Sequence, residues 1–477
     1  MGHQRQLSPA GLPQGPENVL FDGSVRGPRP TLEAKTNLLL IGVDSLRADH
    51  MSCYGYDRLT TPHIDRIAGQ GTLFENAYSP YIPTTPGYTT MLTGTDVMRH
   101  GMVSLSPKGP IDRSIKLLPE ILGKEGYRSA CVGFDTEFYR GFDLYEGYDA
   151  WMSWEDAPGH KAEAMNEKAI PILEEFAGDP FLLFLRHMDP HAPYLPPGPF
   201  DKIFYGKDPC DKAKNTMKPV FDFEPFADFF RSWMPPGITD IDWPVAQYDS
   251  SLAYMDCCIQ AIFNRLQELE VLDRTLIVIT ADHGETLTEH DIYFDHHGLY
   301  EPTIHVPLIY HLPGSVPQGE RIRGYALQQD LTPTVLELLE LDDIASGLDL
   351  DGKSVVPLME GKRNTNYSEF YITECTWMRK RGWRTPHFKL IEALEPDFHG
   401  KPEIELYNLV EDPGENNNIA SERPDVVSAL KARMIRWVER RLGETGEPDP
   451  IMGYEIGLDR RIGSISKARE LQAADDE

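Results

Sequence analysis

Nowhere in the 477 residues does an apolar run approach the roughly 18 positions that a membrane-spanning helix needs. The opening segment, MGHQRQLSPAGLPQGPENVLFDG, likewise lacks the apolar stretch of a secretory signal. Neither membrane association nor export is expected, and a cytoplasmic enzyme is the reading that fits. Basic residues are scarce as well: 46 Lys and Arg stand against 75 Asp and Glu, a net charge of −29. This balance excludes a nucleic-acid partner, which requires a basic footprint. It also repels any anionic substrate at long range, so the attraction for one has to be local and metal-borne. The six cysteines (Cys53, Cys131, Cys210, Cys257, Cys258 and Cys375) follow neither metal-knuckle nor disulfide-framework spacing. Cys257 and Cys258 fall together in a helical pattern and are expected to be buried thiols. No internal repeat is visible.

What the chain does contain is a series of short apolar runs bounded by turn residues. These are NLLLIGV (37–43), SACVGF (129–134), PFLLFLRHM (180–188), TLIVIT (275–280) and VPLIYHL (306–312). Helical patterns such as SIKLLPEILGKEG and SSLAYMDCCIQAIFNRLQELEVL lie between them. Continuous apolar strands alternating with amphipathic helices predict an α/β fold, a large and mostly parallel sheet covered by helices on both faces. The organisation expected is a Pro/Gly-rich arm over 1–35, a catalytic domain over 36–345 and a smaller C-terminal subdomain over 346–477. The last should carry short strands and a helix near 424–442. Residues 195–245 are aromatic-rich and weakly periodic, which suits either a pocket-shaping lid or a surface excursion packed by its own Phe and Trp residues.

Three of the runs end in an acidic residue: IGVDS at Asp44, RHMDPH at Asp189 and ITADHGE at Asp282. Ligands of open parallel sheets bind at the carboxyl ends of the strands, so three strands deliver carboxylates toward one rim. Two of them bring histidines, His191 and His283, and the cluster FDHHG adds Asp295, His296 and His297. Carboxylates mixed with imidazoles form a ligand set for zinc, manganese or iron rather than for magnesium or calcium alone. An Asp after a strand is often only a helix cap, yet three such ends with histidines in attendance make a shared metal site the better account. His187, His290 and His305 are read as structural.

The segment PTTPGYTTMLTG places Pro86 near the first turn of a helix with Thr84 or Thr85 just ahead of it. A hydroxyl there meets the positive helix end and free backbone N–H groups, a place for an anion. Threonine is a poor nucleophile at neutral pH unless a base or a metal stabilises its alkoxide.

These stretches, with LIGVDSLRADHMSCYGY, TTPHIDRIAGQGTLFENAYS, DPHAPY, GLYEPTIHVPLIY, QQDLTPTVLELLEL, DGKSVVPLMEG and ELYNLVEDPGENNNIA, resemble the sulfatase branch of the alkaline phosphatase superfamily. They run in family order from about residue 37 to 440. The resemblance implies an alkaline phosphatase-like core and a small C-terminal α+β subdomain. Several positions depart from the family pattern. Formylglycine-dependent sulfatases carry Cys or Ser two residues before the loop proline, where this chain has Thr84, which cannot become formylglycine. The arginine two residues after that proline is Tyr88. The family's Lys and His of its GKWH stretch correspond to Phe134 and Thr136, and the second Asp of the first metal motif is Ser45. The lysine four residues before the YE tyrosine is His296.

A site that loses its anion-holding Arg and Lys residues needs another positive charge, and a second metal ion is the economical source. By resemblance to two-metal members, Asp44, Thr84, Asp282 and His283 match the first ion's ligands. The second set is Asp189, His191 and a histidine of the DHH cluster, His296 by alignment, with His297 and Asp295 as competitors. Two divalent ions, manganese or zinc, and no formylglycine are expected. Thr84 is the expected nucleophile, with direct attack by water as the alternative, and His297 or His191 the group that protonates the leaving oxygen. The activity expected is hydrolysis of a small monoanionic sulfate or phosphate ester, with the sulfatase reading ahead. A phosphodiesterase or phosphonate monoester hydrolase and a phospho-group transferase are the alternatives. Retention of Thr84, Asp44, Asp282 and His283 argues against a non-catalytic metal-binding relative.

Overall fold

The computed structural model describes residues 35–105, 109–133, 140–150, 154–156, 158–397 and 399–453. The expected arm over 1–34, the positions Phe134 and Thr136, and the chain beyond 453 lie outside the described residues.

Eight strands form the main sheet: β1 (Asn37–Val43), β2 (Thr72–Phe74), β3 (Arg128–Gly133), β4 (Leu144–Gly147), β5 (Phe181–His187), β6 (Thr275–Ala281), β7 (Leu308–His311) and β8 (Glu320–Ile322). Their spatial order is β8-β2-β7-β6-β1-β5-β3-β4. Only β7 runs against the others, pairing antiparallel with both β6 and β2. Strands β1, β5 and β6 are buried at every position, as their unbroken apolar runs require of strands covered on both faces. Each fully buried Leu or Ile there contributes about 2 kcal/mol of transfer free energy. The long helix α2 (Asp242–Glu268) packs with the helix Lys161–Phe176 on one face of this sheet. Helix α1 (Thr84–Thr93) joins the core of the opposite face through Tyr88, Met91 and Leu92.

The aromatic segment 195–245 forms short helices, Lys218–Asp222 and Glu224–Trp233, and enters the main core rather than standing apart from it. Phe230 and Trp233 are buried against Tyr194 and Phe294. The pair of cysteines in α2 separates: Cys258 is buried, but Cys257, also expected inside, is exposed. Consecutive helical residues point about 100° apart, so adjacency itself works against both facing the core.

A second sheet gathers β9 (Phe370–Cys375), β10 (Arg379–Arg384), β11 (Phe388–Ala393) and β12 (Ile404–Asn408) as antiparallel neighbours. The terminal helix α3 (Pro424–Thr445) packs on it through Leu430, Met434 and Val438. Its fifth strand comes from the other end of the sequence: Tyr81–Ile82 pairs in parallel with β9. The segment that leads into Thr84 is therefore held by the C-terminal sheet, while the helix that follows lies against the main one.

Candidate active site

Strands β1 and β6 run in register with Val43 opposite Ala281, so Asp44 and Asp282 emerge side by side. Strand β5 flanks β1 on the other side, and the Asp44 N–H donates to the His187 carbonyl at 2.9 Å. Ser45 then turns the chain with φ of 59°, a left-handed conformation that a non-glycine residue adopts at some cost and most often at a functional site. Its hydroxyl donates to Asp44 Oδ1 at 3.2 Å.

Helix α1 delivers the threonine to these carboxylates. It begins at Thr84, two residues before Pro86, and Thr85 turns away to donate to the Leu105 carbonyl at 3.0 Å. Gly87 permits the close approach, because a Cβ there would lie 2.7 Å from the Asp282 carbonyl oxygen. Every residue from Ala77 to Met98 is buried except Thr84, which is half-buried. Thr84 Oγ1 lies 3.0 Å from His283 Nε2. The other nitrogen of that ring donates to the Gly284 carbonyl at 2.8 Å, which leaves Nε2 as the acceptor facing the hydroxyl. His283 Nε2 also stands 3.7 Å from Asp44 Oδ1 and 3.5 Å from Asp282 Oδ2.

Asp44, Asp282 and His283 offer ligand atoms within 4.8 Å of one another, and all three are buried. Asp282 Oδ2 makes no hydrogen bond among the described residues. Burial raises the Asp282 carboxyl, and the neighbouring Asp44 charge raises it further. Burial opposes ionisation of Asp44 too, but His191, His283 and Arg186 hold that group below the ordinary range. The His283 ring, disfavoured as a cation by burial, is nonetheless raised by Asp282 and Asp44. Two carboxylates repelling each other in a dry pocket, with an oxygen left unpaired, have the chemistry of a divalent-cation site, and the residues fit one.

The remaining predicted residues divide. His296 stacks on His283 with ring centres 4.5 Å apart, and His191 lies 5.9 Å from His296. Burial depresses both rings, His296 to about 4, while the Asp44 charge works against that shift at His191. Asp189 is placed instead against Lys161, 3.4 Å away, and burial shifts both toward their neutral forms. His297 sits between Glu374 and Asp397, each at 3.4 Å, and Asp295 accepts from the Trp377 indole at 2.7 Å. Of the structural histidines, His290 stacks on Tyr300, His305 Nε2 bonds the Glu75 carbonyl, and His187 is fully buried at the end of β5.

Two groups at the site carried a signal that went unused. Glu285 stands two residues beyond His283 in ADHGE; its Oε1 accepts from Tyr194 at 2.7 Å, while its Oε2 makes no hydrogen bond among the described residues. Arg186, a charge inside an apolar strand, is buried and holds its guanidinium 4.5 Å from the ring of Tyr88. Its charge acts on both Asp44 and Asp282. A cation missing from position 88 thus reappears above it, borne by another strand.

Comparisons with known proteins agree with this architecture. The sulfatase family profile matches residues 36–341, and the profile for the C-terminal part of N-sulphoglucosamine sulphohydrolase matches 288–440. An N-acetylglucosamine-6-O-sulfatase of Bacteroides thetaiotaomicron is 24% identical, covering 94% of this chain and 94% of that protein. The multifunctional alkaline phosphatase superfamily protein PehA of Trinickia caryophylli is 26% identical over 69% of this chain and 78% of its own length. Among solved structures, the phosphonate monoester hydrolase of Agrobacterium radiobacter superposes with a TM-score of 0.67 at 20% identity, covering 86% of this chain and 96% of the other.

Proposed function

The chain belongs to the sulfatase family, and from that premise we propose a metal-dependent hydrolase of monoanionic sulfate or phosphate esters in which Thr84 is the nucleophile. One observation carries the reading: the hydroxyl of half-buried Thr84 lies 3.0 Å from His283 Nε2, beside the buried carboxylates of Asp44 and Asp282. Those four residues would hold a divalent cation, zinc or manganese by donor type. Such an ion supplies Lewis-acid charge that lowers the pKa of the hydroxyl and offsets charge on the ester oxygens.

The side chains then have defined tasks. The N-terminus of α1 presents Thr84 with the positive helix end toward an anion. Thr84 Oγ attacks sulfur or phosphorus in line, the ester oxygen departs, and water cleaves the resulting threonine ester in a second displacement. Arg186 and the helix end stabilise the charge that grows on the non-bridging oxygens. Of the two histidines expected near the leaving oxygen, His297 is engaged by Glu374 and Asp397, whereas His191 borders the cluster. His191→Gln separates two roles for that ring, since loss of a proton donor reshapes the pH profile and loss of a ligand lowers the bound metal.

A second reading, a phosphodiesterase or phosphonate monoester hydrolase with little sulfatase activity, is favoured by Tyr88 and His296. Both stand where the family pattern has cations for sulfate. Turnover of an aryl sulfate, a bis-aryl phosphate and an aryl phosphonate, after chelation and again after zinc or manganese is restored, tests both readings. Activity lost on chelation and regained with metal supports the proposal; activity indifferent to chelation overturns it. Strong preference for either phosphorus ester over the sulfate selects the second reading.

A further inference from the structure

We propose that Lys161, at the start of the helix Lys161–Phe176, is a positioning residue that fixes the loop after β5 and so holds the His191 ring at the edge of the active site. This rests on the proposed function above and deepens it, because His191 is a ring given a task there.

The loop's own sequence creates the need. Residues 189–194, DPHAPY, leave the end of β5, and Pro190 and Pro193 carry no N–H. Such a segment pairs poorly as a strand, and its buried carbonyls must find donors elsewhere. Lys161 supplies them. Its ammonium donates to the His191 carbonyl at 2.9 Å and to the Pro193 carbonyl at 3.0 Å, and it lies 3.4 Å from Asp189 Oδ1. An ammonium has three N–H groups, and the three oxygens they face all belong to this one loop. The Gly159 N–H adds a bond to the Leu195 carbonyl at 2.7 Å. The start of the helix thus grips alternate residues, 189, 191, 193 and 195.

The grip bears on the site and not only on packing. Lysine is almost never buried unless paired, and Lys161 is 1% exposed, so little water competes for the loop. Its helix is seated on the sheet through Met165, Ala169 and Leu173, which makes it a fixed support. On the loop so held, the His191 Nδ1 meets the Ala192 carbonyl at 2.6 Å, and the ring centre lies 5.9 Å from that of His296. Tyr194, between two gripped carbonyls, reaches Glu285 with its hydroxyl at 2.7 Å. Misplacing a catalytic group by about 1 Å can cost about 100-fold in rate, so a lysine that never meets substrate can still set turnover.

The test is a double-mutant cycle on the metal-reconstituted full chain. Values of kcat and KM are measured for the wild type, Lys161→Met, His191→Gln and the double variant, on the ester among the three above that the wild type turns over fastest. Lys161→Met keeps the length of the side chain and removes its donors. It should lower kcat about tenfold or more and leave KM within about twofold. In the His191→Gln background the same change should cost less than about twofold, because the ring it positions is gone. Lys380→Met unpairs a different buried lysine, the partner of Asp397, and serves as the control. It should lower the melting temperature yet keep kcat within about twofold. Should Lys161→Met fail to fold, Lys161→Gln, shorter but still a donor, carries the same cycle at smaller amplitude. An equal loss with and without His191 means that Lys161 only supports the fold and overturns the proposal, as does an unchanged kcat in Lys161→Met. No turnover by the wild type on any of the three esters overturns the parent reading and this one with it.

Discussion

Two buried polar clusters draw on the consecutive residues His296 and His297, and they solve the problem of burial in opposite ways. Around His297, the carboxylates of Glu374 and Asp397 meet an imidazole and the Lys380 ammonium, which contacts Asp397 directly. Glu374 also accepts the Gly298 N–H at 2.9 Å and the Thr376 hydroxyl at 3.2 Å. With two negative and two positive groups, that cluster is neutral within itself. At the other, the Arg186 guanidinium acts on Asp44 and Asp282, Glu285 lies nearby, and carboxylate oxygens of Asp282 and Glu285 are left without hydrogen bonds among the described residues. The first asks nothing of a ligand, whereas the second is short of positive charge at the place where Thr84 reaches solvent. Buried charge alone thus does not mark a functional site; incomplete neutralisation beside an accessible nucleophile does.

The largest expected effect breaks the comparison on the open side. Thr84→Ala should reduce turnover on the order of a thousandfold or more while leaving the melting temperature nearly unchanged, measured by steady-state kinetics and calorimetry. Chelation should come next. Activity is expected to vanish, and an ion supplied at 100 times its Kd should add about 2.7 kcal/mol of stability, visible as a rise in melting temperature on reconstitution. The closed cluster should behave in reverse. Lys380→Met leaves buried carboxylates uncompensated and should cost about 3–5 kcal/mol in denaturant unfolding, with bound metal unchanged.

The smallest effect is a slope with pH. Burial alone would lower the His297 ring, but the Glu374 charge and the Asp397 hydrogen bond, working against Lys380, push it up to about 9. A folded pKa above the unfolded value of about 6.5 means that this group's stabilisation is fully present below that pH. It is lost as pH rises through 9. Stability measured between pH 6.5 and 9 should fall more steeply in the wild type than in His297→Gln.

Much of this was legible in the residues. The unbroken runs of β1, β5 and β6 required a sheet covered on both faces, and the acidic residues following β1 and β6 pointed to a common rim. Asp44, Asp282 and His283 could be grouped because parallel strands deliver their ends together; the helix start pointed to Thr84 or Thr85, and the family resemblance chose Thr84. What sequence could not supply was which neighbour satisfies which charge. Nothing in DPHAPY says that Lys161 lies against Asp189, and His296 and His297 point to different clusters although they are consecutive in the chain. The pairing of Tyr81–Ile82 with β9 was equally hidden, since the first is a two-residue strand, too short to show any period, and its partner lies far along the chain.

The account stands most directly on the stereochemical course at the transferred atom, followed with an isotopically chiral ester and the metal-reconstituted enzyme. Attack by Thr84 followed by water is a double displacement and predicts net retention of configuration. Net inversion would mean that water attacks in a single step, with Thr84 no more than a ligand, and would contradict the nucleophile assignment.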